Sequence, residues 1–249
     1  MGWSTKPMQS VSPQYEAEEK ITVNGNVDLY AVVFNRTTET DLTEDQLPQV
    51  DIYKYKQVIF VGDSRTEFME NVLTGMGESA TKNVKFVCSA GKGLDWFTTT
   101  GWAQLYSIVQ HDSNSILSKK TAVIFNFGVN DLSKSADYAE YYNWIAPQLK
   151  SKGCELYFMS VNPVNRLMLP NAGRADRSEA AVRSFNQYMK ANLSSAYTYI
   201  DMYSYLKSTG YSFASDHYGT GTVDDGLHYT TRTYKRIFAK CMDSLRVPA

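Results

Sequence analysis

The sequence has few cysteines, little net charge and no long hydrophobic run, and each shortage excludes a class of protein. Its 249 residues include only three cysteines, far apart at positions 88, 154 and 241. The odd number excludes a fully paired set of disulfides, and the wide spacing gives no Cys/His cluster for a structural zinc ion. The 26 acidic and 25 basic side chains give a net charge of −1. That balance argues against binding nucleic acid or an anionic membrane through bulk charge.

Apolar stretches are short throughout the chain. No segment reaches the roughly 18 consecutive apolar residues of a membrane-spanning helix. The opening residues, MGWSTKPMQSV, contain no apolar secretory core, so we expect any signal peptide to be missing from this chain. An apolar content of 43% is typical of an ordinary globular domain. The length allows one full domain with a small appendage, or two modest domains.

The first 35 residues differ in pattern from the rest. Two β-rich segments, 21–23 and 27–34, are separated by Asn24-Gly25-Asn26. Asn-Gly between such segments predicts a β-hairpin, because a type I′ turn needs positive φ at both central positions. Segment 36–51 is acidic and poor in large apolar residues, which is typical of a linker or a loop on the surface. We therefore expect a β segment over 1–35, a linker over 36–55 and the main domain over 56–249.

The N-terminal segment also resembles a known module. Gly2-Trp3, followed later by Asn26-Val27-Asp28-Leu29-Tyr30-Ala31-Val32, is similar to the C-terminal half of a Listeria–Bacteroides repeat. That repeat is a small β-grasp-like module found in tandem on bacterial surface proteins. The resemblance implies a piece of an exported bacterial protein, secreted or held at the cell surface. The alternative is an N-terminal hairpin that packs on the main domain.

From residue 56 the pattern alternates between strands and helices. Segment 57–61 is an apolar run that ends at Gly62, as expected for a strand buried on both faces of a parallel sheet. Further strands are predicted at 84–88, 121–127, 155–159 and 197–200, and helices at 65–75, 101–110, 137–152, 177–192 and 229–245. Five strands interleaved with helices predict a three-layer α/β domain with a mostly parallel sheet.

Polar and glycine-containing motifs follow the predicted strands, where ligands bind in open parallel sheets. These motifs are Gly62-Asp63-Ser64, Ser89-Ala90-Gly91, Gly128-Val129-Asn130-Asp131 and, before the last helix, Asp224-Asp225-Gly226-Leu227-His228. Taken singly, each has a structural explanation. Asp63 or Ser64 could cap a helix, Gly91 could serve a turn, and Asn130 could form an Asx turn.

Taken together, the motifs contain the parts of a serine hydrolase. The Ser64 hydroxyl is a weak nucleophile that needs a base such as His228 to accept its proton. Asp225, three residues before that histidine, is placed to orient it and to stabilise the imidazolium. An oxyanion formed at the substrate carbonyl needs donors, and the candidates are the N–H groups of Ser64 and Gly91 and the side-chain amide of Asn130.

In order and spacing, these four motifs resemble the four blocks of the SGNH (GDSL) hydrolase family, over about 56–249. The resemblance implies a flavodoxin-like three-layer α/β/α sandwich and ester hydrolysis by a Ser-His-Asp triad, with no metal and no cofactor. It assigns Ser64 as nucleophile and oxyanion donor, Gly91 and Asn130 as further oxyanion donors, His228 as the base and Asp225 as its orienter.

Three positions depart from the family pattern or leave a choice open. Arg65 stands where lipolytic members often carry Leu, so it either contacts a polar or anionic substrate or is a solvated residue at a helix start. Either Gly91 or Gly93 could supply the oxyanion donor of this loop. We prefer Gly91 because it follows the strand sooner. His217 lies beside Asp216, but side chains of adjacent residues diverge, so this pair is poorly placed for catalysis and could only line the pocket.

Loops 161–176 and 211–224 are expected to flank the site, and both mix aromatic or apolar residues with polar ones. This mixture suits a sugar ester such as an acetylated glycan. The sequence therefore predicts a serine esterase that removes small acyl groups from carbohydrate, with a small-molecule or glycan ester as its partner and no nucleic acid. The alternatives are an acyltransferase using the same acyl-enzyme, a binding module without catalysis and a flavin-binding domain.

Overall fold

A small antiparallel sheet forms near the N-terminus of the computed structural model, which describes residues 2–5, 15–16, 20–32, 41–51, 54–112, 120–166, 168–169, 177–214 and 224–245. Its strands are β1 (Gly2–Ser4), β2 (Tyr15–Glu16) and β3 (Tyr30–Val32), and they lie in the order β2-β1-β3. The central position of β1 means that the very start of the chain supplies the partner for both other strands.

The hairpin predicted around Asn24-Gly25 is therefore wrong. The strand β3 pairs with β1, with Trp3 opposite Ala31, while residues 21–23 belong to no strand. Among the described residues, neither Asn24 nor Gly25 has the positive φ that a type I′ turn requires. The end of the predicted strand, 33–34, lies outside the described residues. The resemblance to a surface repeat and the division at residues 35 and 55 stay predictions.

Residues 41–51 lie against the main domain. They contain a short 3₁₀ helix, Glu44–Gln46, after which Leu47 and Val50 are buried in the apolar core. The Lys235 ammonium adds an ion pair to Asp41, with 2.9 Å between Nζ and Oδ1. The described part of the predicted linker is thus a surface loop anchored by two apolar side chains, and 36–40 lie outside the described residues.

Five parallel strands form the central sheet, as the sequence predicts. They are β4 (Tyr55–Gly62), β5 (Val84–Cys88), β6 (Lys120–Asn126), β7 (Cys154–Met159) and β8 (Tyr197–Ile200), and their order is β5-β4-β6-β7-β8. The middle strands are buried on both faces because side chains alternate across the sheet. In β4, for example, Ile59 and Val61 enter one apolar core and Val58 and Phe60 the other.

Helices cover both faces of this sheet. They are α1 (Ser64–Met76), α2 (Leu94–Trp96), α3 (Trp102–Asp112), α4 (Ser135–Ser151), α5 (Glu179–Asn192), α6 (Met202–Thr209) and α7 (Thr231–Ser244). One core contains side chains of α3, α4 and α5, and the other contains side chains of α1, α6 and α7. The predicted three-layer α/β/α sandwich is confirmed. Among the described residues, no helix is long and apolar enough to cross a membrane.

The helix predicted over 137–152 is confirmed as α4, whereas α6 had no counterpart in the sequence interpretation. In α4, Tyr138, Tyr142, Ile145 and Leu149 are fully buried. The two tyrosines differ in their polar ends. The Tyr138 hydroxyl donates to Oδ1 of Asp131 at 2.8 Å, whereas the buried Tyr142 hydroxyl has no hydrogen-bond partner among the described residues.

This difference predicts opposite effects of one substitution at two positions a helical turn apart. Tyr142→Phe should raise the free energy of unfolding by about 1 kcal/mol, because it removes a buried hydroxyl that is not hydrogen-bonded. Tyr138→Phe should lower it by about 1–3 kcal/mol, because the Asp131 carboxylate loses a donor. Urea denaturation of both variants measures the two effects. Equal losses in both would mean that the Tyr142 hydroxyl does have a partner.

Candidate active site

The strand order places three of the predicted motifs side by side. Strand β4 runs into Ser64, and the strands on its two sides, β5 and β6, run into the loops that carry Gly91 and Asn130. Since all three strands are parallel, their carboxyl ends lie at the same edge of the sheet. The sheet therefore places one predicted oxyanion donor on each side of the predicted nucleophile.

The turn from β4 into α1 fixes the position of Ser64. Asp63 is the N-cap of α1, and its Oδ1 accepts a hydrogen bond of 3.0 Å from the Arg65 N–H. Glycine is needed at position 62, because a Cβ there would lie 2.0 Å from Oγ1 of Thr66. With the cap supplied by Asp63, the Ser64 hydroxyl at the first helical position is left to interact with other residues.

That hydroxyl is hydrogen-bonded to His228, which is in turn hydrogen-bonded to Asp225. The distance from Ser64 Oγ to His228 Nε2 is 2.9 Å, and that from His228 Nδ1 to Asp225 Oδ2 is 2.7 Å. All three residues are buried: the exposed fraction is 5% for Ser64, 1% for His228 and 2% for Asp225. The structure thus brings the three predicted residues together in the order that nucleophilic catalysis requires.

Asp225 is held in its ionised form. Burial alone would raise the pKa of its carboxyl group, but the hydrogen bonds from His228 and from the Leu227 amide outweigh burial and hold the pKa below its ordinary value. The amides of Leu227 and His228 both donate to Oδ1 at 2.8 Å, which leaves Oδ2 for the His228 ring. The carboxylate therefore orients both the loop and the imidazole.

The imidazole is also fixed from the side by an aromatic ring. Phe68 stacks on His228 with 4.1 Å between ring centroids. The sequence interpretation missed this residue, although its position four residues after Ser64 puts it on the same face of α1. Its ring covers the imidazole on the side of helix α1, so that the base is held by packing as well as by hydrogen bonds.

The loop that carries His228 fits closely against the segment after β7. Gly226 has a φ of +71°, and a Cβ there would lie 2.4 Å from the Asn165 carbonyl oxygen. The Asn165 N–H donates to the Gly226 carbonyl at 2.9 Å, and its side-chain amide donates to Asp224 at the same distance. Only glycine fits this approach, which explains the second residue of the Asp-Gly-Leu-His motif.

Arg65 is neither solvated nor directed at a substrate, so both expectations for it are wrong. Only 2% of its surface is exposed, and its guanidinium donates to three carbonyl oxygens: those of Leu227 at 2.9 Å, Asn162 at 2.9 Å and Pro163 at 2.8 Å. It also lies over the Tyr229 ring, 5.1 Å from the centroid. The residue after the predicted nucleophile thus ties α1 to the loop of the predicted base.

Gly91 and Asn130 face the Ser64 turn from the two neighbouring loops. Gly91 has a φ of +69°, and no heavy atom lies within 4 Å of the position its Cβ would take. Within the described part of the chain, the N–H groups of Ser64 and Gly91 have no acceptor. The Asn130 amide donates to the Lys92 carbonyl at 2.7 Å, so the two loops are joined directly.

Gly93, the alternative oxyanion donor, has a packing explanation. A Cβ at this position would lie 2.3 Å from Oδ2 of Asp131. That carboxylate oxygen accepts a hydrogen bond of 2.9 Å from the Leu94 N–H, which fixes the start of α2. Glycine at 93 lets the two loops approach each other, and this is sufficient reason for its presence.

A cavity of about 520 Å³ opens beside Asn130. Its lining mixes polar and apolar side chains and includes two arginines. The lining residues are Val129, Asn130, Asp131, Leu132, Ser133, Arg166, Arg177, Ser178 and Ala181. The Arg177 guanidinium donates to Oδ1 of Asn130 at 2.9 Å and to the Val129 carbonyl. The sequence interpretation missed Arg177, because a contact between residues 47 positions apart leaves no local pattern.

Some predicted features cannot be compared with the structure. His217 and Asp216 lie outside the described residues, as do parts of both loops expected to flank the site. Among the residues that are described, no group of three or more His, Cys, Asp or Glu side chains is arranged to hold a metal ion.

The chain was compared with known families and curated proteins. Residues 58–241 match the protein family described as GDSL-like lipase/acylhydrolase. No curated protein is similar enough to count as a match. The matched region includes the four motifs discussed above and excludes the N-terminal sheet.

Solved structures share the fold at low sequence identity. A structure described as an acylhydrolase from Bacteroides fragilis has a TM-score of 0.50 and 16% identity, covering 81% of this chain and 92% of that chain. An SGNH hydrolase structure from Slackia heliotrinireducens has a TM-score of 0.54 and 14% identity, covering 78% and 100%. An acetyl xylan esterase has a TM-score of 0.50 and 11% identity, covering 76% and 100%. These similarities establish the α/β fold of the main domain.

Because Asp63 is buried beside Ser64, we expect the stability of the protein to depend on pH. Burial raises the pKa of its carboxyl group from 3.8 to about 6, although the nearby Arg65 charge partly opposes the shift. The folded state therefore binds this proton more tightly than the unfolded state, and stability falls as pH rises from about 4 to 6. Above about pH 6 the buried carboxylate is ionised, and the free energy of unfolding is lowered by the full cost of burying its charge.

Asp63→Asn should remove this cost and keep the cap, because Asn is an equally good N-cap residue. We expect the variant to match the wild type near pH 4 and to be more stable by about 2–3 kcal/mol at pH 8. Urea denaturation at both pH values measures the difference. A variant that is less stable at pH 8 would show instead that the ionised carboxylate stabilises the buried Arg65.

Proposed function

Since this chain belongs to the family of GDSL-like lipases and acylhydrolases and is an ester hydrolase, we propose that it removes small acyl groups, acetyl foremost, from carbohydrate through a serine nucleophile. One observation carries the proposal. A hydrogen-bonded series of atoms runs from Ser64 Oγ through both nitrogens of His228 to the Asp225 carboxylate. A binding module without catalysis would have no need of this arrangement.

In the first half of the reaction, Ser64 becomes acylated. His228 Nε2 accepts the hydroxyl proton as Oγ attacks the ester carbonyl carbon, and the imidazolium then gives that proton to the leaving alcohol. In the second half, water attacks the acyl-enzyme while Nε2 accepts its proton. That proton returns to Ser64 Oγ as the carboxylic acid leaves, so the enzyme is regenerated.

Asp225 holds the imidazole in the tautomer that this cycle needs. Its Oδ2 accepts the Nδ1 proton of His228, which keeps Nε2 directed at the nucleophile. Because the pKa of the Asp225 carboxyl group is lowered, its negative charge remains to stabilise the imidazolium when it forms.

The oxyanion of the tetrahedral intermediate would be stabilised by three donors. These are the N–H groups of Ser64 and Gly91, which have no acceptor among the described residues, and the second hydrogen of the Asn130 amide. The sheet order supports this set, because the loops of Gly91 and Asn130 lie on the two sides of the Ser64 turn. Donors that are in place before the reaction need no reorganisation when charge develops.

The cavity beside Asn130 supports a polar alcohol such as a sugar. Its lining includes the side chains of Ser133 and Arg166, which are of a kind that forms hydrogen bonds with sugar hydroxyl groups. One of the structures that share the fold is an acetyl xylan esterase, and that protein acts on an acetylated polysaccharide by its description. The proposal of an acetylated glycan rests on these two observations.

The roles of the site residues predict unequal losses of activity. Ser64→Ala should reduce hydrolysis of p-nitrophenyl acetate by at least about 10⁴-fold, because no nucleophile remains. Asn130→Ala should reduce kcat by about 10²–10³-fold and leave a residual rate from the other oxyanion donors. Ser151→Ala is the control. This serine lies at the end of the sheet opposite Ser64, and its hydroxyl donates to the Gln148 carbonyl. Equal, mild losses at Ser64 and Asn130 would contradict both roles.

The substrate class predicts a preference for short acyl groups on sugars. We expect kcat/KM to be higher for p-nitrophenyl acetate than for the octanoate, because a long alkyl chain in this cavity would lie against charged groups such as those of Asp131 and Arg166 and displace their water. Acetate should also be released from an acetylated xylan, measured against the Ser64→Ala variant. A preference for the octanoate, together with no release of acetate from the xylan, would contradict the sugar ester. It would indicate a lipid ester as substrate and leave the serine mechanism standing.

A further inference from the structure

The Asn130 side chain is held by Arg177 from the side opposite the Lys92 carbonyl. Nη2 of Arg177 donates to Oδ1 of Asn130 at 2.9 Å, while Nδ2 of Asn130 donates to the Lys92 carbonyl at 2.7 Å. The same guanidinium donates through Nε to the carbonyl of Val129, the preceding residue. One planar group thus binds both the backbone of this turn and the side chain that projects from it.

This contact decides which end of the amide faces which loop. The oxygen and nitrogen of an asparagine amide are nearly equal in size, so hydrogen-bond partners fix the orientation. A guanidinium can only donate, and it therefore holds Oδ1 on the Arg177 side. The NH₂ group must then face the loop of Lys92 and Gly91, where an oxyanion donor is needed. A charged donor on Oδ1 also polarises the amide and strengthens its N–H groups as donors.

Arg177 stands on a rigid support. The next residue, Ser178, is the N-cap of α5, and its hydroxyl accepts a 3.0 Å hydrogen bond from the Ala181 N–H. Phe185, two turns along α5, packs against Gly128, where a Cβ would lie 2.6 Å from the ring. Helix α5 is therefore packed directly on the turn that carries Asn130, so the guanidinium and the amide keep a fixed separation.

We propose that Arg177 is the positioning residue of the oxyanion site: it orients and polarises the Asn130 amide without contacting the reacting atoms. This inference rests on the proposed function, in which Asn130 donates to the oxyanion. It assigns a catalytic effect to a residue outside the four family motifs, and it gives a reason for the arginine that lines the cavity beside Asn130.

The test is a double-mutant cycle on kcat for p-nitrophenyl acetate, a neutral substrate with no charge for an arginine to bind. Arg177→Met should lower kcat by about tenfold or more, up to the 10²–10³-fold loss expected for Asn130→Ala, with little change in KM. In the Asn130→Ala background, the same substitution should have no further effect on kcat, because Arg177 acts only through that amide. Arg177→Lys should recover part of the activity, since an ammonium can donate to Oδ1 but not also to Val129.

Arg183→Met is the matched control, because Arg183 lies on α5, the helix that begins just after Arg177, and does not line the cavity. It should leave kcat at the wild-type value, and circular dichroism should show that all variants are folded. Effects that multiply in the double variant, or an Arg177→Met kcat equal to wild type, would overturn the proposal while loss of activity in Ser64→Ala still supported the serine mechanism. Activity that survives in Ser64→Ala would instead refute the proposed function itself.

Discussion

The buried guanidinium of Arg65 is the contact on which the geometry of the site depends. It lies next to Ser64 and donates to the Leu227 carbonyl, one residue before His228, and to the carbonyls of Asn162 and Pro163 after β7. Burying a charge is costly unless hydrogen bonds replace its hydration, and three carbonyl oxygens in a rigid arrangement do so. Ser64 and His228 come from elements 164 residues apart in sequence, and Arg65 is the contact that spans them.

The position of Arg65 also bears on specificity. As a residue beside the proposed nucleophile it could be expected to contact the substrate, yet its donors are directed at the backbone of the protein. In the proposed function, selection among substrates then falls to the loops around the cavity beside Asn130, where Arg166 supplies a cationic side chain. Arg65 and Arg177 therefore have different contacts: Arg65 joins two loops to α1, and Arg177 holds the Asn130 amide.

The sequence predicted features that depend on local patterns and missed those that depend on distant contacts. Apolar runs located all five central strands, and the polar motif at the end of β4 indicated Ser64, because ligands bind where parallel strands end. His228 and Asp225 were indicated by the motif before the last helix, whose residue types and spacing suit a base and its orienter. The hairpin around Asn24-Gly25 failed because the partner of β3 is the distant Gly2–Ser4 segment. The contacts of Arg65 and Arg177 could not be predicted from the sequence either, because their hydrogen-bond acceptors are backbone or amide oxygens far along the chain.

The two buried carboxylates of the site, Asp225 and Asp63, accept different numbers of the hydrogen bonds described, and each holds a different part of the site in place. Asp225 accepts from two amides and the His228 ring, and its lowered pKa keeps it ionised beside the base. Asp63 accepts from the Arg65 amide, and burial raises its pKa to about 6. Its carboxylate is costly to bury, yet it caps the helix whose first residue is Ser64. Ser64 is thus positioned at some expense of stability, as is expected where local rules of burial are broken at a functional site.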